Sequence, residues 1–130
     1  MEKLTSICNR SAHEAGEILY REHEQSTHLF IVLGGQVDIQ YLLPNGRRKT
    51  VDTLFVGDIM LWSAVVPPHN TNSIGICRSK AELLGIDGEK LRALCEEDTD
   101  FGYQFMSHIA TVIRRRVHAA RQELVNIDMQ

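Results

Sequence analysis

Between Gly16 and Asp87 the chain repeats one device, a short run of β-branched, aromatic or aliphatic residues closed by a turn former. The strongest closure is Pro44-Asn45-Gly46. Proline fixes φ and Asn-Gly tolerates positive φ, so the flanking residues return on each other as a hairpin. Gln36 to Tyr41 alternates polar and apolar with period two. Arg47 to Val56 returns beside it, with Val51, Leu54 and Phe55 as the apolar positions. His28-Leu29-Phe30-Ile31-Val32-Leu33 is a continuous apolar run, which predicts a strand buried on both faces, and Gly34-Gly35 breaks it. Glu17 to Tyr20 is a short strand introduced by Gly16; Ser73 to Cys77 and Ala81 to Ile86 are two more. Strands and turns at this regular spacing predict a mainly β fold, an antiparallel sandwich or jelly-roll β-barrel.

The pattern changes at both ends. Leu4, Ile7 and Cys8, at i, i+3, i+4, predict a short helical segment over residues 1–12, leaving 13–87 for the barrel. Residues 88–130 turn helical: Leu91, Leu94 and Cys95 form one stripe, and Asp98-Thr99-Asp100 opens a long helix over about 99–125. Some 24 residues of helix reach about 36 Å, more than a barrel of this size can cover. Met106, Ile109, Ile113, Arg116, Ala120, Glu123 and Ile127 follow 3–4 spacing with two charged interruptions. That imperfect heptad seam predicts a homodimer contact through the C-terminal helix, the alternative being a single helix packed on its own barrel.

At 130 residues there is room for one domain, and 43% hydrophobic with 24% charged residues excludes a disordered or disulfide-dense chain. Fourteen Lys and Arg against seventeen Asp and Glu lack the basic balance of a nucleic-acid binder. No apolar run approaches the roughly 18 residues of a membrane span, and the charged N-terminus has no signal-peptide core. The widely spaced Cys8, Cys77 and Cys95 cannot supply a four-thiolate site and read as reduced thiols, so the cytoplasm is expected. His23 and His28 are five apart and no HxH pair exists, which excludes a metal cupin. Nothing in the sequence assembles a Ser/His/Asp or Cys/His nucleophile, so neither enzyme activity, metal nor resident cofactor is expected.

Four motifs in order carry a resemblance. They are Ala15-Gly16-Glu17-Ile18-Leu19-Tyr20-Arg21-Glu22, then His28 to Val37, then Leu42-Leu43-Pro44-Asn45-Gly46-Arg47, then Val56-Gly57-Asp58, followed by Glu82-Leu83-Leu84-Gly85-Ile86 and a long helix. The succession resembles the cyclic-nucleotide-binding domain family over about residues 4–125. The resemblance implies an eight-stranded jelly roll that holds a cyclic nucleotide in a phosphate-binding cassette. That cassette begins with Gly-Glu and contains a short helix followed by Arg-Ser/Thr-Ala. Glycine lets the backbone approach, helix N–H groups face the phosphate, arginine pairs with it, and the glutamate accepts a ribose hydroxyl.

Carried onto this chain, the cassette is residues 57–73, with ligand-binding candidates Gly57, Asp58, Ile59, Met60, Leu61, Trp62, Ser63, Thr71, Asn72 and Ser73. Three positions depart from the family pattern. Asp58 stands for the glutamate, Thr71 stands for the arginine, and His23 stands where a turn glycine is usual. No Arg or Lys lies between Lys49 and Arg78. Deleting one partner of a buried charge pair costs on the order of 2–5 kcal/mol, which lowers affinity roughly thirty- to several-thousand-fold.

Other residues have bland readings beside the functional ones. Trp62 is either a stacking surface or core packing, and His69 either a substitute anion donor or a loop histidine. At least two of Arg114, Arg115 and Arg116 belong to a solvated helix face. The leading expectation is a stand-alone, non-enzymatic sensor binding a small ligand, a cyclic nucleotide or another, and relaying the response through the C-terminal helix. Only Asn126 to Gln130 follow Val125, so no DNA-binding domain is expected within these residues; the output passes to a protein partner if the chain is complete, and to a DNA-binding part beyond it if the chain is a piece of a longer one. The alternative is an interaction or scaffold domain whose pocket no longer binds nucleotide.

Overall fold

The Pro44-Asn45-Gly46 turn forms as expected, joining β4 (Val37–Leu42) to β5 (Arg48–Leu54) in antiparallel register from Val37↔Leu54 to Leu42↔Arg48. The protein's structure, a computed structural model, describes residues 5–128. It adds β1 (Cys8–His13), β2 (Ile18–Tyr20), β3 (His28–Gly34), β6 (Ile59–Met60), β7 (Ile74–Cys77) and β8 (Ala81–Asp87). Two four-stranded antiparallel sheets result, ordered β1-β8-β3-β6 and β2-β7-β4-β5, the jelly-roll arrangement. Val32, Met60 and Leu83 from the first sheet meet Val37, Ile39, Leu54 and Cys77 from the second in one core. Burial of these side chains is the main force closing the roll.

Cys8 to His13 is a strand, not part of a helical segment; among the described residues of this stretch Thr5 and Ser6 are helical, and residues 1–4, Leu4 included, lie outside the described residues. Ladder pairing with β8, from Cys8↔Ile86 to His13↔Ala81, overrides the local i, i+3, i+4 spacing. Arg10 seals the pairing by donating to the Glu82 carboxylate. The roll therefore begins near residue 8 rather than 13. Two glycines are fixed by close approach. A Cβ on Gly35 (φ +77) would lie 2.1 Å from the Lys80 carbonyl oxygen, and one on Gly75 would lie 2.2 Å from the Tyr20 ring.

Two helices follow, α1 (Gly88–Glu97) and α2 (Thr99–Asp128). Each has an aspartate cap: Lys90 N–H donates to Asp87 Oδ1 at 3.0 Å, and Phe101 N–H to Asp98 Oδ1 at 3.1 Å. Accepting the Lys90 N–H holds the Asp87 carboxyl below its ordinary range. The chain divides into two compact units, residues 1–94 and 95–130. On α2, the expected seam residue Ile109 is buried and Arg116 half-buried, while Tyr103, Met106, Ala110, Val117, Ala120 and Leu124 are exposed. With half-buried Ile113, these residues repeat at 3–4 spacing with no charged member. The seam expected from sequence shares Met106, Ile113 and Ala120 with this stripe; the side chains of Glu123 and Ile127 lie outside the described set.

Candidate ligand-binding site

The expected cassette is a continuous excursion between β5 and β7, and its residues take distinct duties. Gly57 (φ +94) and Asp58 form the turn before β6. The Asp58 carboxylate accepts the Phe55 N–H at 2.8 Å, and the turn is tied to β3 by Gly57 N–H to Val32 O (2.8 Å) and Val32 N–H to Asp58 O (3.0 Å). Ile59 and Met60 are core, paired with Ile31 and Phe30. A 3-10 helix then spans Trp62–Ala64, with no side-chain cap at its N-terminus. The residue that opens it in the left-handed region is Leu61 (φ 62), and not Gly57, which lies ahead of β6. Trp62 is half-buried, and Leu61 packs against the core.

The loop after the helix contains a cis Pro67-Pro68 peptide and reaches His69, again left-handed (φ 59). His69 is a half-buried, bonded residue rather than a solvated one: its Nδ1–H donates to Ser63 O at 2.7 Å. Its Nε2 faces Arg92 Nη1 of α1, a group that can only donate, at 3.4 Å. The same Arg92 nitrogen donates to the Ala64 carbonyl. Ser63 Oγ is 2.6 Å from Ser26 Oγ, and Ser26 is buried.

Thr71 and Ser73 are buried and Asn72 is exposed. Ser73 Oγ pairs with the Tyr20 hydroxyl at 3.0 Å. The Thr71 hydroxyl donates to Arg21 O and accepts the Glu24 N–H at 2.8 Å. Backbone bonds stitch the two segments further: His23 N–H to Thr71 O (3.0 Å), Thr71 N–H to Glu24 O (2.8 Å) and Ser26 N–H to His69 O (2.7 Å). His23, the departure in the earlier turn, is itself left-handed (φ 64). The non-glycine residues with positive φ among those described are thus His23, Leu61 and His69, and all three lie in this one neighbourhood. Each costs about 1–2 kcal/mol relative to an ordinary conformation.

The structure brings Ser63, Thr71 and Ser73 together with the 20–26 segment; it places Gly57 and Asp58 in a separate turn. Sequence reading missed Arg92, Ser26 and the 21–24 turn. Arg92 meets Ala64 from 28 positions further along the chain, a contact that no local spacing signals.

A second polar row also went unseen. Ser11 Oγ lies 2.8 Å from His13 Nε2, and His13 Nδ1 contacts the Glu17 carboxylate, joining edge strand β1 to the approach to β2. The bond from His13 holds the Glu17 carboxyl below its ordinary range. Burial pushes the Cys8, Cys77 and Cys95 thiols up, so they stay protonated and weakly nucleophilic.

Residues 10–98 match the family described as the cyclic nucleotide-binding domain, and the chain belongs to that family of regulatory, typically non-enzymatic domains. Solved structures agree on the fold. The c-di-GMP-responsive global regulator of Xanthomonas campestris is similar at 16% identity and TM-score 0.86, over 98% of this chain and 62% of that one. A cyclic nucleotide-binding domain of Methylobacillus flagellatus gives 15% and 0.86, over 96% and 72%. The catabolite activator protein of Thermus thermophilus gives 19% and 0.76, over 98% and 59%. No curated protein sequence matches the chain. Among the described residues no helix is long and apolar enough to cross a membrane.

Proposed function

We propose that this chain is a sensor module in which a small ligand seated against residues 61–73 changes the cassette, and α2 relays that change to a second copy. The observation that carries the reading is the concentration of left-handed residues, His23, Leu61 and His69, in the cassette and the turn bonded to it. Strain of this kind persists where the surroundings over-determine it, and it gathers at ligand clamps and switches. The ligand is not gripped by a cassette guanidinium, because Thr71 occupies that place. Cyclic mononucleotides therefore bind weakly. The c-di-GMP response of the Xanthomonas regulator brings cyclic dinucleotides into the ligand class considered.

The α2 stripe from Tyr103 to Leu124 supports a homodimer. Exposed apolar residues at 3–4 spacing are what two parallel helices bury against each other. The three cysteines form no disulfide and stay protonated, which fits a reducing cytoplasm. A second reading, an interaction domain with no nucleotide ligand, is favoured by one observation: the Thr71 hydroxyl is already spent on Arg21 and Glu24. Thermal-shift titration with cyclic AMP, cyclic GMP and c-di-GMP separates the two. Saturable stabilisation by any of them supports the sensor, and a flat response to all three supports the interaction domain.

A further inference from the structure

The carbonyl at the end of a short helix has no partner within the helix and must find one outside. At Ala64 the partner is Arg92, reaching from the second turn of α1. The same guanidinium nitrogen faces His69 Nε2, and His69 returns through Nδ1–H to Ser63 O. The 3-10 helix and the far end of its loop are thus tied to each other and to α1 through one side chain. A second contact is independent of charge. A Cβ on Gly88 would lie 2.8 Å from the Ala64 carbonyl oxygen and 3.0 Å from its Cβ, so the first turn of α1 rests directly on the end of the 3-10 helix.

We propose that Arg92 is a positioning residue, a latch that holds residues 61–69 in their closed loop without any ligand present. The family pattern sets an arginine inside the cassette on the ligand phosphate. Here an arginine holds the cassette from α1, through the loop's own carbonyl and histidine. Leu61 and His69 stay left-handed because the loop is closed at both ends, by the core under Leu61 and by Arg92 at His69. The proposal rests on reading residues 61–73 as the ligand cassette, but the latch itself operates in the unliganded protein.

Hydrogen exchange on the full ligand-free chain tests it, with Arg92→Gln and Arg92→Lys beside the parent. In Arg92→Gln, exchange at Ala64, Val65, Val66 and His69 rises about tenfold or more, the effect of losing one hydrogen bond from a charged donor. Amides of β3 and β8 keep their protection. Arg92→Lys restores part of the loop's protection through a single donor, and nitrogen NMR of His69 keeps the Nδ1–H tautomer there while losing it in Arg92→Gln. Unchanged loop exchange in Arg92→Gln overturns the proposal, and so does a rise shared equally by β3 and β8. Loop loosening in a chain that binds none of the three nucleotides supports the latch and overturns only the ligand reading.

Discussion

The Thr71 hydroxyl bridges Arg21 and Glu24, donating to the carbonyl of one and accepting the N–H of the other, with the residue only 5% exposed. The position that meets a phosphate in the family pattern here holds two chain segments together. Thr71→Val keeps the shape and removes both bonds, leaving a backbone donor and acceptor unpaired. The expected loss is about 1–3 kcal/mol in urea unfolding, with most of it recovered by Thr71→Ser, which keeps the hydroxyl.

The Tyr20 ring lies against Gly75, and a Cβ there would run into its edge atoms at 2.2–3.0 Å. Gly75→Ala sets a methyl against a ring that is buried and bonded to Ser73, and costs about 1–3 kcal/mol. Combining Gly75→Ala with Tyr20→Leu recovers part of that loss. The shortfall from additivity in a double-mutant cycle measures the clash.

Most strands were legible because they carry side-chain alternation and explicit turn chemistry. The β4–β5 hairpin and the β7 and β8 strands lie within a residue or two of their expected bounds. What escaped was set by pairing rather than by local pattern. β1 is a strand only because β8 lies beside it, and β6, at two residues, is too short to show a period. The site was legible as a segment and not as a geometry. Nothing in Gly57-Asp58 reveals that the carboxylate turns back to Phe55, and nothing near Leu61 reveals a left-handed residue where glycine would be easier. On α2 the seam expected from sequence and the exposed stripe share one periodicity; burial, invisible in sequence, separates Ile109 and Arg116 from the exposed residues.

Asp87 caps α1 in its charged form, so its carboxyl titrates below the ordinary value. A depressed carboxyl contributes stability that is complete above its unfolded pKa and is lost as pH falls through its folded pKa. Asp87→Asn retains a capping side chain without the titration. As pH falls through and below the ordinary carboxylate range the parent loses stability relative to Asp87→Asn, while Asp87→Ala costs about 1 kcal/mol at neutral pH. Unfolding curves across that range check both.

Val117 is 46% exposed in the middle of the α2 stripe, whereas Arg116 is half-buried beside it. If the proposed homodimer forms through this stripe, Val117→Glu sets two like charges face to face in it and shifts sedimentation from dimer to the 14.7 kDa monomer. Arg116→Ala leaves the dimer intact. The opposite pattern assigns the contact to the seam through Ile109 and Arg116.

The sensor reading is tested most directly by titrating the full chain with cyclic AMP, cyclic GMP and c-di-GMP while following its melting temperature. The predicted result is a saturable rise with at least one of them, the mononucleotides requiring the higher concentrations because Thr71 stands where a guanidinium would bind. A melting temperature that stays flat with all three contradicts it.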